Sequence, residues 1–254
     1  MSRTINTLAK ALTIIETIVA NQTAGMTLTE IVERTGTPKS STHRILSNLL
    51  ERGYINLDKD SGKFRGALKL SALGSEVLAR FELRVHMRPY LAELHRTTQH
   101  TCNLGIRNGD TGIYIDRIES QLYGIRLFSN LGQTFPLRGG SLGKALLAYA
   151  DPIEREAIIK RPIEAFTPNT ITDPDEFRQE LQQVRARGYS IERGEIIRGV
   201  MCIGAAVLGA DGECVGAVSV AFPTYVEEDR DIERDIEAVK RCARAGSAAF
   251  HSKT

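Results

Sequence analysis

Apolar residues recur at helical spacing from the first residues of the chain. Ile5, Leu8, Leu12, Ile15, Ile18 and Val19 predict an amphipathic helix over about 4–21, ended by Asn21 to Gly25. Thr27 stands three residues before Glu30, the spacing of a capping box, and opens a short helix whose Leu28, Ile31 and Val32 point inward. Gly36 stops it. Thr37 and Pro38 then predict a new start, with Thr37 as cap and Pro38 at the first helical position; this helix runs to about Arg52 and closes at Gly53. Two helices joined by a short glycine-containing turn form a helix-turn-helix.

At 100° per residue the third helix gathers Thr42, Ile45, Leu46, Leu49 and Leu50 on one side and Ser40, Arg44, Ser47 and Glu51 on the other. Lys39, Ser41 and Asn48 flank the outer face, and His43 reads as a partly buried structural histidine. Small hydroxyls approach phosphates closely and arginine donates bidentately to guanine. Lys39, Ser40, Ser41, Thr42, Arg44 and Ser47 are therefore candidate DNA contacts, against the plainer reading of a solvated polar face. Beyond Gly53, Tyr54 to Leu57 and Lys63 to Arg65 enclose the turn cluster Asp58 to Gly62, which predicts a hairpin. A hairpin directly after a helix-turn-helix is a wing, and it adds Lys59, Lys63 and Arg65 as cations that could reach the DNA backbone, with Lys63 and Arg65 as the site candidates.

Leu68, Leu70, Leu73, Val77, Leu78, Phe81 and Val85 continue an apolar stripe to Pro89, which predicts one linker helix over 68–89. A stripe with no domain above it suggests dimerisation. The remainder alternates strands and helices. Asn108-Gly109-Asp110 turns a hairpin of 101–107 with 111–118, and Gly209 to Gly212 turn another of 200–208 with 213–222. A strand near 124–129 and helices near 141–150, 174–187 and 226–250 complete an α+β body. The expected divisions are 1–67, 68–89 and 90–254.

Composition excludes more than it selects. With 254 residues, 42% hydrophobic and 25% charged, the chain is long enough for a packed core and too ordinary for a disordered or fibrous one. The N-terminus lacks a signal-peptide core, so a cytoplasmic location without membrane association is expected. Cys102, Cys202, Cys214 and Cys242 lie too far apart for a zinc or disulfide framework, and the five histidines add no metal ligand set. No metal or cofactor is expected. The net charge of +2 divides into +3 over Met1 to Arg65 and −1 beyond it, a modest basic front that permits nucleic-acid binding without requiring it.

Two features of the body suit a ligand. Arg138-Gly139-Gly140-Ser141-Leu142-Gly143-Lys144 leads into a helix whose free N–H groups can hold an anion, or else simply allows a tight turn. It lacks the spacing of a phosphate-binding loop. Cys202, Gly204 and Ala206 share one side of a strand, as Ala217, Ser219 and Ala221 do on its partner, leaving room for a close helix or a small molecule.

Thr27 to Ile31, Gly36-Thr37-Pro38-Lys39-Ser40-Ser41-Thr42-His43-Arg44-Ile45-Leu46, Tyr114 to Ser120, Leu142 to Ala148, Arg187-Gly188-Tyr189 and Gly199 to Ile203 occur in the order found in the IclR family of bacterial transcriptional regulators. The chain resembles that family over essentially its whole length. The resemblance implies an N-terminal winged helix-turn-helix, a linker helix and a C-terminal effector domain of GAF-like fold. It also implies homodimers that in many members pair into tetramers, inverted-repeat operators in double-stranded DNA, and effectors that are often small carboxylates. It places the Ser141 and Leu142 amides at the carboxylate-holding turn and Cys202 and Ser219 in the pocket. Met201 stands where the family commonly has arginine, Gly204-Ala205-Ala206 where it has Ala-Ala-Pro, Ala221 where some members have serine, and Arg138 where several have histidine. A more apolar pocket that still takes an anion follows, with an aromatic or longer-chain acid as the expectation.

Two other classes compete. An enzyme would use Cys202 as nucleophile, but no histidine lies near it in sequence. A module that binds proteins through the wing and helix would not bind DNA. A DNA-binding repressor controlled by an organic acid fits the whole pattern better than either.

Overall fold

The computed structural model describes residues 7–123, 130–225 and 232–251. The strand expected at 124–129, and the first residues of the helices expected from 4 and from 226, lie outside the described residues. The chain divides into two compact units, Met1–Val77 and Leu78–Thr254.

The first unit contains α1 (Thr7–Ala20), α2 (Leu28–Thr35), α3 (Lys39–Glu51), β1 (Ile55–Asp58), β2 (Lys63–Gly66) and most of α4 (Leu68–Ala79). Ile14 and Ile18 of α1, Ile31 of α2, and Ile45, Leu46 and Leu49 of α3 meet Met26, Ile55 and Phe64 in one core. The capping box forms as the spacing predicts: the Thr27 amide donates to Glu30 Oε2 at 2.7 Å and the Glu30 amide to Thr27 Oγ1 at 3.4 Å. Gly36 ends α2 with φ 62°, the left-handed conformation that favours glycine. Thr27→Ala removes one half of this box and is expected to cost about 1 kcal/mol. A lower urea midpoint with an unchanged slope is the signature to look for.

Helix α3 begins one residue later than predicted. Pro38 is its N-cap, with ψ 139°, and no side chain caps the helix. The Thr37 carbonyl instead accepts from Thr42 Oγ1 at 3.1 Å. The wing forms with Ile55 opposite Gly66 and Asp58 opposite Lys63. Asp58 Oδ1 accepts from the amides of Asp60 and Ser61, which folds the turn back on itself.

The linker departs from expectation. In place of one helix over 68–89, α4 ends at Ala79, Phe81 takes extended backbone, and α5 (Glu82–Thr98) runs straight through Pro89. Proline lacks one amide donor, but Pro89 is exposed, so water can serve the carbonyl that the helix leaves open.

The second unit continues with β3 (Thr101–Asn108), β4 (Thr111–Ile118), β5 (Thr134–Pro136), α6 (Gly140–Ala148), α7 (Pro152–Ile159), α8 (Pro174–Arg187), β6 (Ser190–Arg193), β7 (Val200–Leu208), β8 (Cys214–Pro223) and α9 (Ile232–His251). The six strands form one antiparallel sheet in the order β5-β4-β3-β8-β7-β6. Both predicted hairpins are present, whereas α7, β5 and β6 are additions that the apolar pattern did not reveal. On one face Met201, Ile203, Val218, Val220 and Phe222 pack with Leu83, Met87 and Leu91 of α5 and Ile236 and Val239 of α9. A second core joins Leu142, Ala145 and Leu146 of α6 to Phe177, Leu181 and Val184 of α8 and to Ala217 of β8. The unit is thus an α+β sandwich with helices on both faces.

Candidate functional site

The polar face of α3 is open. Lys39, Ser40, His43, Arg44, Ser47 and Asn48 are exposed and Ser41 is half-buried. Two predictions need correction. Thr42 is fully buried, its hydroxyl donating to the Thr37 and Pro38 carbonyls, so it holds the turn and cannot meet DNA. His43 is exposed rather than partly buried, because it lies about a quarter-turn beyond the apolar stripe. Ser47 Oγ donates to the His43 carbonyl and Asn48 to that of Arg44, which leaves acceptor oxygens facing outward. In the wing, Lys63 Nζ and the Arg65 guanidinium both donate to the Ala24 carbonyl, and Arg65 also pairs with Asp58 at 3.4 Å. The two wing cations are held beside one another rather than extended.

A cavity of about 90 Å³ lies between the sheet and the start of α6. Sheet register builds its floor. Thr101, Ala221, Cys202 and Glu192 fall on one line across β3, β8, β7 and β6, while Asn103, Ser219, Gly204 and Ser190 fall on the next. Gly204 admits α6 at close range, since a Cβ there would sit 3.0 Å from the Ser141 carbonyl. Ser190 Oγ donates to that same carbonyl at 2.7 Å. The small-residue face therefore does both jobs considered for it: Gly204 and Ala217 receive the helix, and Cys202, Ser219 and Ala221 line the cavity.

Gly139 caps α6 without a side chain, so the first amides, those of Gly140, Ser141 and Leu142, have no capping acceptor. All three residues line the cavity. The positive end of a nearly fully buried helix therefore faces the cavity, the arrangement that receives a carboxylate or similar anion.

Arg138 is the third correction. It does not line the cavity; its guanidinium donates to the carbonyls of Arg161 at 2.6 Å and Thr172 at 2.9 Å and lies over the Phe177 ring. Its sequence position beside the Gly-rich turn suggested a ligand contact, but the side chain leaves in the other direction and fastens two loops. Among the lining residues that sequence reasoning missed are Asn103, Tyr114, Phe135, Glu192, Ile196 and Val200. Glu192 had one signal, the alternation of Ser190 and Glu192 in a short segment after Gly188.

Glu192 is almost fully buried, and its Oε1 accepts the amides of Glu195 at 2.5 Å and Ile196 at 3.1 Å. Burial raises its pKa, opposed by those amides, the Cys202 thiol and Lys144. Burial, and then the neighbouring Glu192, push Cys202 well above the ordinary thiol range. Such a thiol is a poor nucleophile, and no histidine lines the cavity among the described residues. Lys144, also buried, donates to Glu195 at 2.5 Å and to the Ile191 carbonyl at 3.0 Å. Thr167 and Thr170 hydroxyls donate to the carbonyls of Gly194 and Glu195, so the loop over the cavity is fixed from two sides.

No group of three or more metal-ligating side chains occurs among the described residues. None of the described helices is long and apolar enough to cross a membrane.

Residues 7–59 match the IclR helix-turn-helix domain and residues 75–248 the bacterial transcriptional regulator IclR C-terminal domain. The chain is 34% identical over 241 residues to the HTH-type transcriptional regulator BhcR of Paracoccus denitrificans, covering 94% of this chain and 85% of the relative. It is 31% identical to the HTH-type transcriptional regulator KdgR of Escherichia coli over 87% of this chain and 84% of that one. Among solved structures, an IclR transcriptional regulator from Alicyclobacillus acidocaldarius aligns with a TM-score of 0.84 at 29% identity, covering 96% of this chain and 98% of the other. The Thermotoga maritima IclR aligns with a TM-score of 0.74 at 30% identity over 98% of each. Helix-turn-helix, C-terminal domain and whole-chain likeness agree: the protein belongs to the IclR family of bacterial transcriptional regulators and is not an enzyme.

Proposed function

We propose that this regulator is a repressor that binds an inverted-repeat operator as a homodimer and responds to a small carboxylate held between α6 and the sheet. The observation that carries the reading is the union, in one chain, of an exposed cationic face on α3 and a cavity at the uncapped start of α6. Lys39, Ser40, Ser41, Arg44 and Ser47 are assigned to the operator, with Lys63 and Arg65 beside its backbone. Ser141, Leu142, Cys202, Ser219 and Ala221 are assigned to the effector, joined by Asn103, Tyr114 and Glu192. A cavity of about 90 Å³ is smaller than the roughly 150 Å³ that admits benzene in an engineered core. It favours an acid of two to four carbons over the aromatic or longer-chain acid that the residue substitutions suggested.

Dimerisation is assigned to a second copy of the chain. Leu68, Leu73 and Val77 of α4 are exposed, as are Leu8, Leu12 and Val19 of α1, and α4 has no fully buried residue. Apolar stripes of this kind are rarely left to water. Pairing of dimers into tetramers extends the same reading. Repression follows the simplest mode, occupancy of promoter DNA, and a reporter fused to that promoter should rise when the gene is deleted.

Fluorescence anisotropy with a genomic operator fragment and a random duplex tests the DNA assignment. Arg44→Ala should weaken operator binding by about tenfold to a hundredfold, as loss of a base contact does, with a smaller loss on random duplex. Equal losses on both would reduce Arg44 to a phosphate contact. Operator affinity should also fall steeply as salt is raised.

A further inference from the structure

We infer that the carboxylate effector enters this cavity together with a proton, which Glu192 takes up. The inference rests on the effector reading above and adds to it the charge balance of the occupied site. The cavity wall contains one side-chain carboxyl, that of Glu192, and no cationic side chain among the described residues. The first residues of α6 and Glu192 line the same cavity, so an anion held at the α6 amides shares its space with the Glu192 carboxyl and the two charges repel. Two carboxyl groups that share one site disfavour joint ionisation, and one of them gains a proton.

The neighbours of Glu192 decide which. From α6, Lys144 is the nearest cation, but its ammonium is committed to Glu195 at 2.5 Å, with Glu180 of α8 at 3.6 Å. From the loop, Glu195 adds negative charge. Opposite on β7 stands the Cys202 thiol and on β4 the Tyr114 hydroxyl, both held neutral by burial, with Glu192 adding to the effect. Among the described residues, the cavity wall supplies no second positive charge. The incoming carboxylate has the uncapped amides of Gly140, Ser141 and Leu142, whereas the two amides that Glu192 accepts both fall on its Oε1 and the group is buried, which raises it. The proton therefore settles on Glu192, whose Oε2–H can then donate into the cavity.

The coupling has a defined sign. Effector binding raises the pKa of Glu192, so affinity is constant below its free-state pKa and falls by up to about tenfold per pH unit above it. It levels off above the bound-state pKa. Proton uptake is largest between the two values.

Calorimetry of the full-length protein with pyruvate, lactate and alanine, repeated at several pH values from 5.5 to 9, tests this directly. At each pH, two buffers of different ionisation enthalpy count the protons taken up. Binding of pyruvate or lactate with uptake approaching one proton at some pH supports the coupling, as does its disappearance in Glu192→Gln, a variant that keeps an acceptor for the Glu195 and Ile196 amides. Wild-type binding whose heat is the same in both buffers at every pH would overturn the coupling and leave the effector reading intact. Binding of alanine alone would also overturn it, because the ammonium of that ligand would replace the proton. Heat from none of the three acids would overturn the small-carboxylate reading and the coupling with it.

Discussion

Replacing Lys144 by alanine is expected to destabilise the C-terminal domain by about 3–5 kcal/mol, the cost of leaving one member of a buried ion pair without the other. Lys144 is 1% exposed and Glu195 8%, so the abandoned carboxylate has little access to water. The ammonium also serves the Ile191 carbonyl, and its loss removes one of the ties on the loop that carries Ile196 over the cavity. Burial raises Glu195 and Lys144 is the main influence lowering it, so removing the lysine sends the carboxyl higher still. The deficit should therefore be largest at neutral and alkaline pH and shrink as pH falls through the raised value, where Glu195 becomes protonated in the variant. Urea unfolding at pH 8 and pH 5, followed by a probe in the C-terminal domain, measures both. An equal deficit at the two pH values would mean that the ion pair is not its source.

Phe177→Ala should cost a similar amount, about 3–5 kcal/mol, for a different reason. The ring is fully buried between α8 and α6, and its removal opens a cavity that the surrounding helices cannot close. It also removes the aromatic face beneath Arg138. Phe177 does not line the effector cavity. Thermal unfolding should therefore show the loss, while affinity for the effector at a temperature where the variant stays folded should change little. A parallel collapse of affinity would mean that the Arg138 anchor, and not only α6 and the sheet, sets the shape of the cavity.

How much of this was legible before folding depends on the range over which each signal acts. The helix-turn-helix was readable because its signals are local: a Thr27–Glu30 box, Gly36 past one helix and Gly53 past the next. The small-residue faces of β7 and β8 were readable because a strand alternates with period two. Glu192 was not, because β6 has four residues and no apolar run, and its place opposite Cys202 is set by sheet register. Thr42 and Arg138 were misassigned for a shared reason. Each lies next in sequence to a functional face, and only the fold shows its polar atoms turned toward backbone carbonyls instead. Pro89 misled in the opposite sense, since a proline ends a helix in general but is tolerated where the open carbonyl faces solvent.

The protonated state of Cys202 has a consequence for the chemistry of stress. Oxidants attack thiolates far faster than thiols, and burial pushes the other three cysteines up as well, Cys214 and Cys242 to about 12. A cysteine can thus sit in the wall of the cavity in its less reactive thiol form, which adds a polar but uncharged group to the proposed effector site.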